Sequence, residues 1–215
     1  MSKTIIDDGY SSYLVVDAVF VGKYQIPVLS KHETILIPKD MIPFDKRRKV
    51  KDNDIAINFY MHDKTFKQVL THTKKYTAEL SKFSQVISPD CSLYRDMPLC
   101  LQITNTYMNR AIGFYLEKNG IYVIPNVRWG DERSLEFCFD GLPTNDIVSI
   151  STYGCIKGYE NKYYFKIGLR EMLKVLKPQV VLVYGAMPDE VFSEFINETK
   201  FINYSSYISR VKGGK

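Results

Sequence analysis

Tyr163-Tyr164-Phe165-Lys166-Ile167-Gly168-Leu169-Arg170-Glu171-Met172-Leu173-Lys174-Val175-Leu176-Lys177-Pro178-Gln179-Val180-Val181-Leu182-Val183-Tyr184 decides the fold. Phe165, Leu169, Met172, Leu173 and Leu176 recur at three- and four-residue spacing, the mark of a helix with one apolar face. Pro178 ends that helix. Val180 to Tyr184 is then a continuous apolar run, which reads as a strand buried on both faces. A helix feeding such a strand belongs to a parallel sheet, because parallel neighbours need a crossover between them.

The same alternation extends in both directions. Ile55 to Tyr60 alternates like a strand. Asp63 to Phe83 reads as one helix, with Phe66, Val69, Leu70, Tyr76 and Leu80 at helical spacing. Gln85 to Ser88 is a short strand. Pro98 opens a long helix, with Asp96 as its expected cap and Gly120 as its stop. Ile121 to Val127 and Ile147 to Thr152 are strands, with a short helical piece from Asp131 through Phe139 between them. Pro188-Asp189-Glu190 opens a further helix with acids in its first turn. Phe201 to Tyr204 is a last strand.

The fold class is therefore α/β, a mostly parallel sheet with helices on both faces. An open doubly wound sheet and an incomplete βα barrel both fit; five or six units are few for a barrel of eight, which favours the open sheet. Residues 1–33 read as an N-terminal extended β segment packed on the core, from Tyr13 to Val21 and Gln25 to Leu29. Residues 34–205 form the α/β domain, and residues 206–215 a mobile tail. Thr34 to Ile37 is a further strand candidate stopped by Pro38.

A chain of 215 residues with 45% hydrophobic and 25% charged residues builds a substantial core without staples. Its first residues carry two acids, Asp7 and Asp8, and no apolar run of the secretory kind. The most apolar stretch, Ile121 to Val127, is too short to span a bilayer. A cytoplasmic protein without a membrane partner is expected. Cys91, Cys100, Cys138 and Cys155 form no CxxC pair, so reduced structural thiols are expected; Cys91 alone stands where a functional thiol belongs.

The net charge of +5 is local. Lys46-Arg47-Arg48-Lys49-Val50-Lys51 carries five basic residues, and without them 24 basic residues balance 24 acidic ones. Read as an exposed loop, Lys46, Arg47, Arg48, Lys49 and Lys51 are candidates for a phosphate or nucleic-acid contact. The bland alternative is a solvated loop, since the run lacks interleaved aromatics.

Ligands of parallel α/β folds bind at the carboxyl ends of the strands. Those ends carry Asp90 and Tyr94; Asn126, Arg128, Trp129 and Asp131; and Ser151. Asp90 and Asp131 are the candidate acid–base or metal-ligand residues; a divalent metal is the one cofactor considered. Tyr94, Asn105, Asn126, Arg128, Trp129 and Ser151 are candidate substrate-binding residues. Trp129 offers a flat face and Arg128 a fork for phosphate or carboxylate. Helix capping, turn chemistry and a Trp buried under its loop are the structural alternatives. Gln102, Asn105 and Asn109 share one helix face, as a ligand stripe or a buried hydrogen-bond network. P-loop, dinucleotide and nucleophile-elbow patterns are absent.

Three blocks in order carry a family resemblance: Ser88-Pro89-Asp90-Cys91-Ser92-Leu93-Tyr94-Arg95-Asp96-Met97-Pro98, Val123-Ile124-Pro125-Asn126-Val127-Arg128-Trp129-Gly130-Asp131-Glu132, and Phe137-Cys138-Phe139-Asp140-Gly141-Leu142-Pro143. From about Ile35 to Phe192 the chain resembles the DUF4417 family of Gram-positive bacteria, their phages and mobile elements. The resemblance implies a phage or mobile-element role and assigns no reaction. That family usually carries Phe where Cys91 stands, which weighs against a nucleophile there.

The expected function is an enzyme acting on a polar or phosphorylated substrate, a nucleotide or nucleic acid, at the carboxyl edge of the sheet. The alternatives are a non-catalytic accessory protein that binds a host or phage protein, as in anti-defence, and a nucleic-acid binder using Lys46 to Lys51.

Overall fold

The computed structural model describes residues 11–213. Residues 1–10 of the expected N-terminal segment, with Asp7 and Asp8, lie outside the described residues, as do 214 and 215. A 3₁₀ turn over Ser12–Val15 leads into a hairpin of β1 (Phe20–Val21) and β2 (Ile26–Pro27). Gly22, at φ +72°, makes the left-handed turn between them. The two extended pieces expected here are thus a turn of helix and a two-residue hairpin.

Seven strands follow: β3 (Met41–Pro43), β4 (Ala56–Asn58), β5 (Gln85–Ile87), β6 (Val123–Ile124), β7 (Ile147–Ser151), β8 (Val180–Tyr184) and β9 (Lys200–Tyr204). All pairings among them are parallel, in the orders β3-β4-β5-β6 and β7-β8-β9. A parallel bridge between Asn126 and Ser149 joins the two groups. Each strand therefore lies beside its sequence neighbour, with no point where the order reverses. Of the two arrangements compatible with the sequence, this order is that of the incomplete βα barrel.

Side-chain alternation assigns the faces. Ile57, Val86, Val123, Val148, Ile150, Val181 and Val183 point toward the helices. Met41, Ala56, Ile87, Ile124, Ile147, Leu182 and Tyr204 meet one another on the opposite face. One apolar cluster fed by every strand from β3 to β9 means the sheet curls around it. The barrel does not close by strand pairing. Its seam is spanned by the Tyr204 hydroxyl, which donates to the Pro38 carbonyl at 2.6 Å, and by Arg210, which reaches Asp40 and the Met41 carbonyl.

The helices are α1 (Asp63–Thr71), α2 (Thr73–Leu80), α3 (Leu99–Lys118), α4 (Gly158–Leu176), α5 (Asp189–Phe192) and α6 (Tyr207–Gly213). The single helix expected over 63–83 is broken at His72. Thr71 and Thr73 flank the break, and their hydroxyls bond back to the Lys67 and Val69 carbonyls. The N-cap of α3 is Pro98 rather than Asp96, with no side-chain cap. The tail expected to be mobile forms α6, because Arg210 ties it to β3 across the seam. No strand forms over Thr34–Ile37; the chain enters the sheet at Met41 instead.

The basic run is not an exposed loop. Phe44–Lys49 is a 3₁₀ helix in which Arg47 is buried, its guanidinium 3.7 Å above the Phe44 ring. Glu79 accepts from Arg47 at 2.8 Å and from Arg48 at 3.1 Å, and Lys46 pairs with Asp45. Arg47 is thus a core residue, and the charges left exposed and without an ion pair among the described residues are Lys49 and Lys51. No helix among the described residues is long and apolar enough to cross a membrane.

Candidate functional site

The inward faces of β4, β6 and β7 change from apolar to polar at their carboxyl ends. Tyr60, two residues past β4, places its hydroxyl 2.7 Å from Ser149 Oγ and 3.1 Å from Asn126 Oδ1. Asn126 donates from Nδ2 to Asp90 Oδ1 at 2.9 Å. Asp90 Oδ2 lies 3.7 Å from Arg128 Nη1, and that same nitrogen donates to Cys155 Sγ at 2.9 Å. A polar chain from β4, β5, β6 and β7 thus runs from the barrel interior to the surface.

Burial dominates its electrostatics. Asp90 is 7% exposed, and desolvation holds its carboxyl above the ordinary range against the pull of Arg128 and Asn126. Burial also opposes the Arg128 charge, but Asp90 and Cys155 outweigh it and raise the guanidinium above its usual value. Burial, then the Asp90 charge, push the Tyr60 phenol well up. Arg128 Nε is buried with no hydrogen-bond partner among the described residues.

Arg128 forms part of the wall of an open cleft at the surface. Tyr94 and Arg95 come from the loop after β5, Trp129 and Gly130 from the segment after β6, Ser151 and Cys155 from the end of β7, and Asn161 and Tyr164 from the start of α4. The β7–α4 loop is bracketed by Gly154 and Gly158, both at φ +77°. The first turn of α4, a 19-residue helix, has no side-chain cap, so its N–H groups favour an anion.

The expected site residues divide. Tyr94, Arg128, Trp129 and Ser151 meet at the cleft, and Asp90 and Asn126 stand behind Arg128. Trp129 is only 8% exposed, packed 5.2 Å from the Phe165 ring and against Gly168, so it supports the wall rather than presenting a face. Asp131 is not among the cleft residues: it caps the 3₁₀ helix Glu132–Glu136 and pairs with Arg133, whose hydrogen bond lowers its carboxyl. Asn105 donates to the Ser92 carbonyl at 2.6 Å, beside Gln102 on the Met97 carbonyl and Asn109 on the Pro89 carbonyl. The amide stripe of α3 is therefore a network that pins the loop after β5.

Cys91 is buried, and desolvation pushes its thiol far up, so it is no nucleophile. Cys155, Tyr60, Arg95, Asn161 and Tyr164 were missed by sequence reasoning. Tyr60 closes the strand expected over Ile55 to Tyr60, a signal that was present; Cys155 lies four residues past β7 and carries none. No group of three or more His, Cys, Asp or Glu side chains gathers for a metal ion among the described residues.

The family described as Domain of unknown function (DUF4417) matches residues 18–205, more than the resemblance from 35 to 192 and including the β1–β2 hairpin. The chain is 30% identical over 167 residues to the Gene 1 protein of Mycobacterium phage L5, covering 76% of this chain and 72% of that relative. It is 28% identical over 190 residues to the Gene 1 protein of Mycobacterium phage D29, covering 87% and 68%. No solved structure matches. With its three sequence blocks placed on the β5–α3 loop, on β6 and the segment after it, and beside the 3₁₀ helix that follows, the chain belongs to the DUF4417 family, which has relatives in phages.

Proposed function

We propose that the protein is an enzyme that holds a phosphorylated substrate of nucleotide class in the cleft at the carboxyl edge of the sheet. The observation that carries this reading is the Asp90–Arg128 pair. Asp90 is buried and Arg128 half-buried, their closest approach is 3.7 Å, and the buried Arg128 Nε has no hydrogen-bond partner among the described residues. An ion pair so loosely satisfied is a poor device for stability. It suits a guanidinium held in place for an incoming anion.

Arg128 binds the anion, Asp90 positions Arg128, Asn126 holds Asp90, and Tyr60, bonded to Ser149, holds Asn126. Cys155 is the nucleophile-bearing side chain of the cleft. Thermal unfolding with inorganic phosphate, nucleotides and sugar phosphates tests the binding. A ligand at about 100 times its Kd adds about 2.7 kcal/mol, several degrees for a chain this size. The shift should vanish in Arg128→Met and shrink in Asp90→Asn. Turnover of the stabilising compound, followed by ion-exchange chromatography, should be lost in Cys155→Ser. No shift with any phosphorylated compound sinks the reading; a shift without turnover removes the enzyme part of it.

A further inference from the structure

The geometry points to a single-stranded nucleic acid as the substrate class: Tyr94 and Tyr164 line the cleft with Arg128 and the exposed Tyr163 adjoins Tyr164, so that successive bases stack while a phosphate enters. This inference rests on the anion-binding reading of the cleft.

Tyr159 and Tyr163 lie four residues apart on α4 and therefore share a face, and they are 88% and 50% exposed. Tyr163 meets Tyr164 edge-on at 5.2 Å, and Tyr164 lines the cleft under the Arg95 guanidinium, 4.7 Å above its ring. Tyr94, 50% exposed, lines the same cleft. Tyr153, 43% exposed, sits in the β7–α4 loop. Tyr94 and Tyr164 thus line the cleft with Arg128, and Tyr163 adjoins Tyr164 at its edge.

The composition of this surface selects the occupant. From residue 151 to 170 every exposed large hydrophobic residue is a tyrosine, with no Leu, Ile or Val among them. Flat exposed rings suit stacking against bases. Charge agrees: Lys157, Lys162, Lys166 and Arg170 face one acid, Glu160, in the same stretch. Arg95 covers Glu160; Lys162, Lys166 and Arg170 lean on Glu190 and Glu194; Lys157 forms no ion pair among the described residues. A duplex hides its base faces, so the strand must be single.

The test is fluorescence anisotropy of a labelled oligothymidine with the full chain, alongside thermal shifts with thymidine monophosphate. Wild type should bind with an affinity that falls steeply with salt. Tyr159→Ala and Tyr163→Ala should each weaken binding about tenfold, and Tyr159→Phe with Tyr163→Phe should keep it, because stacking needs the ring and not the hydroxyl. If the alanine variants bind like wild type, the inference is overturned. If thymidine monophosphate stabilises the protein but the oligonucleotide binds no more tightly, the rim inference falls and the cleft reading stands. If neither ligand binds, both fall.

Discussion

Arg128 donates from Nη1 to the Cys155 sulfur across 2.9 Å, so a residue just past β6 and one just past β7 share a hydrogen bond at the cleft wall. That contact gives Cys155 a surrounding unlike that of the other three cysteines. Cys91 and Cys138 are buried, and desolvation raises both thiols far above their ordinary value. Cys100 is exposed on α3, away from the cleft residues.

Iodoacetamide should therefore modify Cys100 and Cys155 in the native protein and leave Cys91 and Cys138 untouched. Inorganic phosphate should slow modification of Cys155 and not of Cys100. Peptide mass spectrometry reads both, and equal protection of the two would argue against an anion bound at Arg128.

Glu117 supplies a pH dependence at the other end of the strands. Its Oε2 accepts from the Ser30 backbone N–H at 3.0 Å, while Oε1 is buried with no partner. Burial pushes its carboxyl up from 4.5 to about 7. The folded chain then holds this proton more tightly than the unfolded chain, so stability present in acid is lost as pH rises through about 7. Relative to Glu117→Gln, wild type should lose about 1–3 kcal/mol between roughly pH 5 and pH 8. Urea denaturation across that range checks it, and a constant difference would place the titration outside the window.

Arg110 is a structural cation. It is 2% exposed on α3 and donates to the Asp140, Asn126 and Cys138 carbonyls and to Asn109 Oδ1. Arg110→Met keeps much of the volume and leaves those acceptors unpaired in the interior. A loss of about 2–4 kcal/mol is expected by chemical denaturation. A loss below about 0.5 kcal/mol would mean that water reaches these carbonyls.

Gly168 lets the Trp129 indole pack directly against α4. A Cβ there would stand 2.2 Å from Trp129 Nε1. Gly168→Ala must displace the indole, which should cost about 1–3 kcal/mol and weaken phosphate protection, since Trp129 backs the wall beside Arg128. Denaturation together with the thermal-shift assay separates the two effects. Unchanged stability would show that α4 gives way instead.

How much could be read in advance depended on range. β8, α4 and the start and stop of α3 were legible, because each is written in a few consecutive residues: an apolar run, a helical period, Pro98 and Gly120. β3 was not, because Met41-Ile42-Pro43 is three residues long and is recognisable as a strand only beside Ala56 and Ile57. The rule that ligands meet strand ends located Arg128, Tyr94 and Ser151, which do line one cleft. It also selected Asp131, whose carboxylate is occupied by Arg133. The basic run read as free charge because Glu79, which pairs with two of its arginines, lies about thirty residues away.

By itself, then, the sequence determined an α/β chain of parallel strands and amphipathic helices, with polar residues at the strand ends. Those features follow from periodicity and local backbone chemistry, which act over a turn or a strand. Only the tertiary structure decided that the strands run in chain order around one interior and that α6 spans the seam. It alone decided, too, that Arg128 lies between Asp90 and Cys155. The physical reason is that strand pairing and burial of charge are set by partners distant in the chain, and nothing in a residue's own neighbours specifies which distant group will lie beside it.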